Sequence, residues 1–225
     1  PGQKVLIAKG GKGGLGNQHF ATARNDAPEF AQPGEIGESL TVVVELRLLA
    51  DAGLIGYPSV GKSTFLSVVT NARPDIAEYP FTTLEPNIGV VSLPDGRGFV
   101  LADMPGLIEG AKEGKGLGHE FLRHIQRCRV LIHVIDMSGE WRNPVDDYRI
   151  INEELFQYDD SLKKRPQIVV ANKMDDEYAV FHLEEFKKAY PDLKVYEVSA
   201  ITHKGLDPVL YDTMKMIEAS KQEEI

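Results

Sequence analysis

The segment Gly56-Tyr57-Pro58-Ser59-Val60-Gly61-Lys62-Ser63 decides the fold, because each of its parts suits the binding of phosphate. An apolar run over residues 46–55 predicts a buried strand before it, and residues 64–69 predict a helix after it. Glycines at both ends let backbone N–H groups turn inward towards phosphate oxygens at a helix N-terminus. Lys62 brings positive charge to the β- and γ-phosphates, and the Ser63 hydroxyl can bind Mg²⁺. The segment therefore predicts a site for a nucleoside triphosphate, and a chance Lys-Ser pair after a glycine turn is the less favoured alternative.

The identity of the nucleotide base is predicted from the segment Asn172-Lys173-Met174-Asp175, which follows the apolar run 168–171. Ligands of open parallel sheets bind at the carboxyl ends of the strands. The Asp175 carboxylate can accept hydrogen bonds from N1–H and N2–H of guanine, whereas adenine lacks this donor pair and would leave the carboxylate unpaired at a high cost. Asn172 can join this loop to the phosphate loop, and the stem of Lys173 can lie along the base. Asn and Asp are also ordinary turn residues, so the preference for guanine depends on their position after a phosphate loop.

Three shorter segments complete the pattern. Asp103, after the strand-like run 98–102, is placed to hold Mg²⁺ through water, and the N–H of Gly106 can contact the γ-phosphate. A hydroxyl in the segment 79–84 can complete the Mg²⁺ shell only while the γ-phosphate is present, which is typical of a switch loop. Ser199-Ala200 follows the run 195–198, where its backbone N–H groups can meet the guanine O6.

These motifs, in this order, resemble those of translation-factor-class GTPases and specifically the Obg family of bacterial ribosome-associated P-loop GTPases. The closer match is carried by residues 48–58, 79–89, 103–111, 116–119 and 121–124, and the resemblance covers nearly the whole chain. It implies an enzyme that slowly hydrolyses GTP to GDP and phosphate with Mg²⁺. It further implies a molecular switch in assembly of the large ribosomal subunit or a linked stress response, with the large ribosomal subunit as partner and ppGpp as a further candidate ligand.

The predicted site follows from the motifs and the resemblance together. The residues predicted to act in hydrolysis are Lys62, Thr83 and Gly106, and those predicted to hold the metal are Ser63, Thr83 and, through water, Asp103; the resemblance is the reason for choosing Thr83 over Thr82. The predicted nucleotide contacts are Gly56, Pro58, Ser59, Val60, Gly61, Lys62, Ser63, Thr64, Phe81, Thr82, Thr83, Asp103, Gly106, Asn172, Lys173, Asp175, Ser199 and Ala200.

At two positions the chain differs from other GTPases in ways that affect the expected rate of hydrolysis. Ras-like GTPases place a water-orienting Gln directly after the Asp-x-x-Gly motif, where this chain has Leu107. The Obg pattern has the same apolar residue, which implies slow hydrolysis with the water held by backbone, by a partner or by another side chain such as Glu109, Glu113 or His119. Several relatives carry Asn at the position of Ser59, and that Asn is associated with potassium-assisted hydrolysis. Ser59 lacks the amide oxygen, which argues against activation by potassium.

Leu107 keeps a second function open. In this alternative the chain is a nucleotide-gated ribosome-binding module, and its hydrolysis is incidental. A third possibility, an ATP-using P-loop kinase, is disfavoured by Asp175 and by the lack of an evident second-substrate site.

Composition limits the partners and the compartment. The chain has 225 residues, is 42% hydrophobic and carries a formal net charge of −9, which argues against a general affinity for nucleic-acid backbone and against sequence-specific DNA binding. Local basic clusters such as Lys163-Lys164-Arg165 can still contact a ribosome, although such clusters are more often a solvated face. The single cysteine, Cys128, fits a reducing cytoplasm. The apolar runs are too short for a transmembrane span, and a monomer is expected.

The chain divides into three segments by amino-acid composition and sequence pattern. Residues 1–47 are predicted to be the last part of a glycine-rich Obg-type N-terminal domain, residues 48–220 a GTPase domain and residues 221–225 a tail. Residues 5–8 predict a short strand, and the run 10–17 has too much glycine for a helix. The resemblance implies closely packed helices of the polyproline type for this run. Because the chain opens at Pro1 without Met, we expect a fragment of a longer protein.

The second segment predicts an α/β fold with a mostly parallel six-stranded sheet flanked by helices. Strands are predicted at 51–56, 87–93, 98–103, 129–135, 166–171 and 194–198, and helices at 61–71, 117–127, 145–157, 182–189 and 205–219. The turn Pro94-Asp95-Gly96 predicts a hairpin that adds one antiparallel edge strand.

Overall fold

The computed structural model describes residues 4–42, 50–70, 75–76, 87–103, 125–126, 128–140 and 142–223. The chain forms two compact units, one spanning Pro1–Leu46 and the other Arg47–Ile225. None of the helices in these described ranges combines the length and apolar character needed to cross a lipid bilayer.

The first unit is built on two extended segments, 9–15 and 32–38, that run antiparallel. Backbone N–H groups of Gln32, Glu35 and Glu38 donate to the carbonyls of Leu15, Lys12 and Lys9 at 2.8, 2.8 and 2.9 Å. These bonds recur every third residue, which is the repeat of a polyproline II helix. The two segments are joined through a 3₁₀ helix at Asn17–Phe20, where the ring of Phe20 lies 5.2 Å from that of Phe30.

Glycine is required at the positions where these two segments approach most closely. A Cβ atom added at Gly11 would lie 1.8 Å from the Glu35 carbonyl oxygen, and one at Gly14 would lie 2.0 Å from that of Gln32. By contrast, a Cβ atom at Gly10 or Gly13 would meet nothing within 4 Å. The unit therefore resembles collagen in placing glycine at every third, crowded position. The strand predicted over residues 5–8 is not formed, since no described segment pairs with these residues.

The second unit alternates strands and helices. Its strands are β1 (Ala50–Ile55), β2 (Asp75–Ile76), β3 (Asn87–Ser92), β4 (Gly98–Asp103), β5 (Cys128–Asp136), β6 (Gln167–Asn172) and β7 (Val195–Glu197). Its α-helices in the described ranges are α1 (Lys62–Val69), α2 (Pro144–Tyr158), α3 (Ala179–Ala189) and α4 (Leu206–Glu223), and a 3₁₀ helix spans Asp160–Lys164.

The strands form one sheet in the order β2-β3-β4-β1-β5-β6-β7. β4, β1, β5, β6 and β7 are parallel, whereas the predicted hairpin makes β3 antiparallel to β4. All six predicted strands are confirmed, and the two-residue β2 pairs antiparallel with β3, so β3 is not the outermost strand. The register aligns the carboxyl ends of the parallel strands, with Leu54 opposite Asp103 and Asp136 opposite Asn172. Polar residues at these ends therefore share one edge of the sheet.

Helices cover both faces of the sheet, as the alternation of side chains along β6 shows. Ile168 and Val170 pack in the cluster that includes Val209 and Ile217 of α4. Val169, between them, packs on the other face with Phe186 of α3. This double cover explains why the parallel strands are apolar at most of their positions.

The predicted helices differ from the observed ones mainly at their ends. α3 begins at Ala179 rather than at 182, and α4 continues to Glu223. Lys221, predicted to lie in a tail, is therefore helical, and its ammonium lies 3.3 Å from Oδ1 of Asp51. The helix predicted at 117–127 falls outside the described residues except for 125–126, which are helical.

Candidate functional site

Fourteen of the predicted site residues lie in the described ranges, and they gather at the carboxyl edge of the sheet. Those after β1 are Gly56, Pro58, Ser59, Val60, Gly61, Lys62, Ser63 and Thr64, and those at the ends of β4, β6 and β7 are Asp103, Asn172, Lys173, Asp175, Ser199 and Ala200. Phe81, Thr82, Thr83 and Gly106 lie outside the described residues, as do Leu107, Glu109, Glu113 and His119.

The phosphate loop wraps around the ammonium group of Lys62. This group donates to the backbone carbonyls of Gly56 and Tyr57, each at 2.9 Å. Burial lowers the pKa of Lys62, and the nearby Asp103 carboxylate opposes that shift. The lysine is thus held at the centre of the loop, on the first turn of α1.

Glycine is needed at both ends of this loop. Gly56 has φ 147° and Gly61 has φ 98°, both in the region that favours glycine. A Cβ atom at Gly56 would lie 2.3 Å from the carbonyl oxygen of Val134 on β5, and one at Gly61 would lie 2.4 Å from Nδ2 of Asn172. Ser59, at the loop tip, also has a positive φ of 65°. The predicted role of the terminal glycines therefore has a steric basis on two sides of the site.

A hydroxyl and a carboxylate meet beside Lys62. The Ser63 hydroxyl donates to Oδ2 of Asp103 at 2.5 Å. Asp103 is only 3% exposed, and its Oδ1 atom has no hydrogen-bond partner among the described residues. A buried carboxylate oxygen without a partner is costly. Hard oxygen donors of this kind are the ligands that Mg²⁺ prefers, so this pair suits that ion.

Asn172 joins the phosphate loop to the loop after β7. Its Nδ2 donates to the carbonyl of Val60 at 2.8 Å, and its Oδ1 accepts from the backbone N–H of Ala200 at 3.1 Å. The side chain is buried, so both bonds form away from water. The bridge from Asn172 to the phosphate loop that the sequence suggested is therefore present in the structure.

The other polar residues of this edge are also paired. The Ser199 hydroxyl donates to Oδ1 of Asp175, whose side chain is otherwise exposed to solvent. Lys173 has φ 65°, and its ammonium pairs with Asp136, the last residue of β5. Asp136 in turn accepts from the N–H and hydroxyl of Ser138. Sequence reasoning missed Asp136, although its place at the end of an apolar strand is the same signal that singled out Asp103.

Arg142 is a second residue that the sequence did not single out. Its guanidinium carbon lies 3.5 Å from the centroid of the Tyr57 ring, inside the phosphate-loop segment. Arg97, by contrast, pairs with Asp95 and Glu218 at the hairpin. No spacing rule points to Arg142, because its contact with Tyr57 depends on how β5 leads into α2.

A buried polar network lies on β5 behind the phosphate loop. The side-chain amide of Gln167 lies 3.4 Å from Nδ1 of His133 and donates to Asn152 of α2 at 3.2 Å. Burial, aided by the positive charge of Lys62, lowers the pKa of His133 to about 3. His133 is therefore neutral across the physiological pH range.

Comparison with known proteins agrees with this architecture. The sequence profile of the family described as 50S ribosome-binding GTPase matches residues 51–173. The chain belongs to that family. A second profile, described as GTP1/OBG, matches residues 1–48.

The chain is similar to curated relatives and shares its fold with a solved structure. A GTPase Obg of Halalkalibacterium halodurans is 58% identical over 223 residues, which are 98% of this chain and 52% of the relative. A GTPase Obg of Staphylococcus epidermidis is 56% identical over 222 residues, with the same two shares. The predicted resemblance to the Obg family is confirmed, and the chain spans about half the length of these relatives. Aquifex aeolicus Era bound to GDP·AlF₄⁻ shares the fold, with a TM-score of 0.56 at 24% identity over 74% of this chain and 56% of that one.

Proposed function

We propose that the chain binds GTP and, with Mg²⁺, slowly hydrolyses it to GDP and phosphate as a molecular switch. The observation that carries the proposal is the linkage through Asn172, which ties the Lys62-centred phosphate loop to the loops suited to a guanine base. A site for phosphate and a site for a base are thereby held in one rigid arrangement. In a protein of this family, that arrangement fits a guanine nucleotide.

The proposed phosphate contacts come from the loop itself. Backbone N–H groups from Ser59 to Thr64 turn towards the β- and γ-phosphates, as glycine-ended loops at helix N-termini do. The ammonium of Lys62 exchanges part of its contact with backbone carbonyls for phosphate oxygens. Gly106 and Thr83 are proposed to lie on the side of the site that holds the γ-phosphate. Their contacts would be lost when GTP is hydrolysed, so the loops would respond to hydrolysis.

The proposed base contacts come from the other loops. Asp175 accepts hydrogen bonds from N1–H and N2–H of guanine, with the Ser199 hydroxyl already holding one carboxylate oxygen in place. The N–H of Ala200 donates to Oδ1 of Asn172 at 3.1 Å, so the proposed contact with O6 requires this N–H to be shared with, or released from, Asn172. Lys173 lies along the base, and Phe81 and Thr82 are proposed to cover the nucleotide from the switch loop.

Ser63, Asp103 and Thr83 are the residues proposed to hold Mg²⁺, with Asp103 acting through water. The fit of the first two residues rests on the short hydroxyl–carboxylate contact and on the unpartnered buried oxygen of Asp103. When bound, Mg²⁺ neutralises charge that develops on the phosphate oxygens. Ser63 would supply a hydroxyl oxygen to the ion, Asp103 would hold the ion through water, and Lys62 would supply further positive charge beside them.

The partner is proposed from the family. The family description, 50S ribosome-binding GTPase, supports the large ribosomal subunit as the partner, and assembly of that subunit, or a linked stress response, is the process we propose. A cytoplasmic location, a monomeric state and ppGpp as a further ligand belong to the same proposal. The basic cluster Lys163-Lys164-Arg165 is a weak contact candidate, because Lys163 pairs with Asp160 and Arg165 donates to the carbonyl of Cys128.

The alternative function is a nucleotide-gated binding module, and one experiment separates the two. Phosphate release from GTP is measured under single-turnover conditions, with and without large ribosomal subunits, in sodium and in potassium. A switch predicts slow release that the subunits accelerate, whereas a module predicts GTP-dependent binding to the subunits with unchanged release. Failure to bind GTP overturns both.

Two variants control this experiment. Lys62→Ala removes the central cation of the phosphate loop and is expected to abolish tight GTP binding. Lys187→Ala removes an exposed lysine that pairs with Glu197 outside the site, and it is expected to behave as the unmodified chain. Acceleration of release by potassium would show that Ser59 suffices where relatives carry Asn.

A further inference from the structure

Arg142 and Tyr57 form a stack between the start of α2 and the phosphate loop. The guanidinium carbon of Arg142 lies 3.5 Å from the centroid of the Tyr57 ring. Nε of Arg142 donates to Oδ1 of Asp147 at 2.9 Å, and Asp147 lies on the first turn of α2. The arginine is thus fixed at one end by an ion pair while its flat face covers the ring. A cation over an aromatic face is attractive, most of all where water is excluded.

Tyr57 and Asp147 are buried beneath Arg142 and are shielded from solvent. Tyr57 is 4% exposed and Asp147 is 5% exposed, whereas the side chain of Arg142 is 41% exposed. Burial raises the pKa of Asp147, and the bond from Arg142 opposes this shift. The guanidinium therefore acts as a lid that separates two buried groups from solvent.

The backbone of Tyr57 ties this stack to the phosphate loop. Its carbonyl accepts from the Lys62 ammonium at 2.9 Å, and it follows Gly56, whose φ of 147° turns the chain. Because the guanidinium packs on one face of the Tyr57 ring, we expect it to limit movement of the Tyr57 backbone as well. The Lys62 ammonium is therefore bonded to the backbone of the same residue whose ring lies in the stack.

We propose that Arg142 is a positioning residue whose stack on Tyr57, anchored by Asp147, keeps the phosphate loop closed around bound nucleotide and slows nucleotide release. The inference rests on the proposed binding of guanine nucleotides. It concerns retention of the nucleotide and assigns Arg142 no contact with the reacting atoms.

The test measures the dissociation rate of a fluorescent GDP analogue after a chase with excess GDP. Arg142→Ala and Tyr57→Leu are each expected to speed dissociation about 3- to 10-fold. Tyr57→Phe keeps the ring face and is expected to dissociate at nearly the rate of the unmodified chain. Arg142→Lys is expected to fall between the two, because an ammonium lacks the flat face of a guanidinium.

The double variant Arg142→Ala/Tyr57→Leu decides whether the two residues act as one unit. If they do, the double variant dissociates no faster than the faster single variant. Because residues in contact couple in any case, the discriminating readout is faster dissociation without a matching loss of stability in urea unfolding, and dissociation that only follows lost stability would contradict the inference. Arg149→Ala, on the same helix but paired with Asp146 and Glu153 at the surface, is the matched control and should not change the rate.

Three further outcomes overturn the inference: an unchanged rate in Arg142→Ala, a double variant whose rate change is the product of the single ones, or an equal effect of Arg149→Ala. Failure of the unmodified chain to bind the GDP analogue would instead overturn the proposed function.

Discussion

The ammonium of Lys173 lies 2.5 Å from Oδ2 of Asp136, so the ends of β6 and β5 are joined by an ion pair beside the loop proposed for the base. The second oxygen of Asp136 accepts from the N–H and the hydroxyl of Ser138 at 2.9 and 2.7 Å. Both oxygens of the carboxylate are thus engaged, and the lysine stem is held in one direction. A base that stacks on this stem meets a surface that is already ordered.

Asp136→Asn is expected to weaken binding of GDP and GTP by about 3- to 10-fold, because it removes the charge that orients Lys173. The preference for guanine should not change, since Asp175 is untouched. Competition of GDP, GTP and xanthosine nucleotides against a fluorescent GDP analogue measures both quantities. Asp95→Asn, which breaks an ion pair at the distant hairpin, is the control and should leave affinity unchanged.

Asp175→Asn is expected to weaken GTP binding about 100-fold and to favour xanthosine triphosphate, whose base carries a carbonyl where guanine carries N2–H₂. The same competition assay measures the two affinities. Glu177→Gln, two residues along the chain, serves as control. Unchanged GTP affinity in Asp175→Asn would remove Asp175 from the proposed base contacts.

Asn172→Asp is expected to cost about 1 to 3 kcal/mol of folding free energy, because the buried side chain loses its donor and points an oxygen at the carbonyl of Val60. Nucleotide affinity should fall with it, since the phosphate loop loses its link to Ala200. Urea unfolding and nucleotide titration measure the two effects. Asn143→Asp, which keeps an acceptor at the N-cap of α2, should be nearly neutral. Equal stability of the two variants would contradict the role of the bridge.

His133 should make the fold less stable in mild acid. Its pKa is about 3 in the folded chain and about 6.5 when unfolded, so below pH 6.5 the unfolded chain binds a proton that the folded chain does not. Stability contributed by this residue is complete above pH 6.5 and is lost as the pH falls. Between pH 7.5 and pH 4.5 the loss is about 2 to 3 kcal/mol.

Urea unfolding at these two pH values checks the effect of His133. His133→Asn, or His133→Gln if the former does not fold, should lose less stability on acidification by about that amount. The same dependence on pH in the variant and in the unmodified chain would show that other groups are responsible.

Gly14→Ala should disrupt the first unit, whereas Gly13→Ala should not. The new methyl group at position 14 would lie 2.0 Å from the carbonyl oxygen of Gln32, but at position 13 it would meet nothing within 4 Å. Amide hydrogen exchange of Gln32, Glu35 and Glu38 reports the bonds between the two segments. Faster exchange is expected in Gly14→Ala alone, and equal protection in both variants would contradict the close approach.

The fold was largely predictable because its signals are local and periodic. Apolar runs of strand length, separated by amphipathic stretches, gave all six predicted strands, and Pro94-Asp95-Gly96 gave the hairpin. The two-residue β2 carries no such signal and depends on its pairing with β3. The strand predicted over residues 5–8 failed for the opposite reason, because a suitable sequence found no partner among the described segments.

The candidate site was predictable where each residue follows a strand. Lys62, Asp103, Asn172 and Ser199 were found this way, and the structure brings them to one edge. Arg142 was missed because its partner Tyr57 is distant in sequence and no motif links the two. The His133 network was missed for the same reason, since a polar residue inside an apolar strand has no meaning until the facing helix is known.

The three-residue spacing of the hydrogen bonds in the first unit fixes which positions of the glycine-rich segments must be glycine. Inserting one or two residues between Lys9 and Leu15 would turn side chains into the crowded positions held by Gly11 and Gly14, while inserting three would restore the phase. Sequence length in these segments should therefore vary among functional variants in steps of three. In a library of insertions and deletions selected for function, the variants that remain should differ in segment length by multiples of three residues.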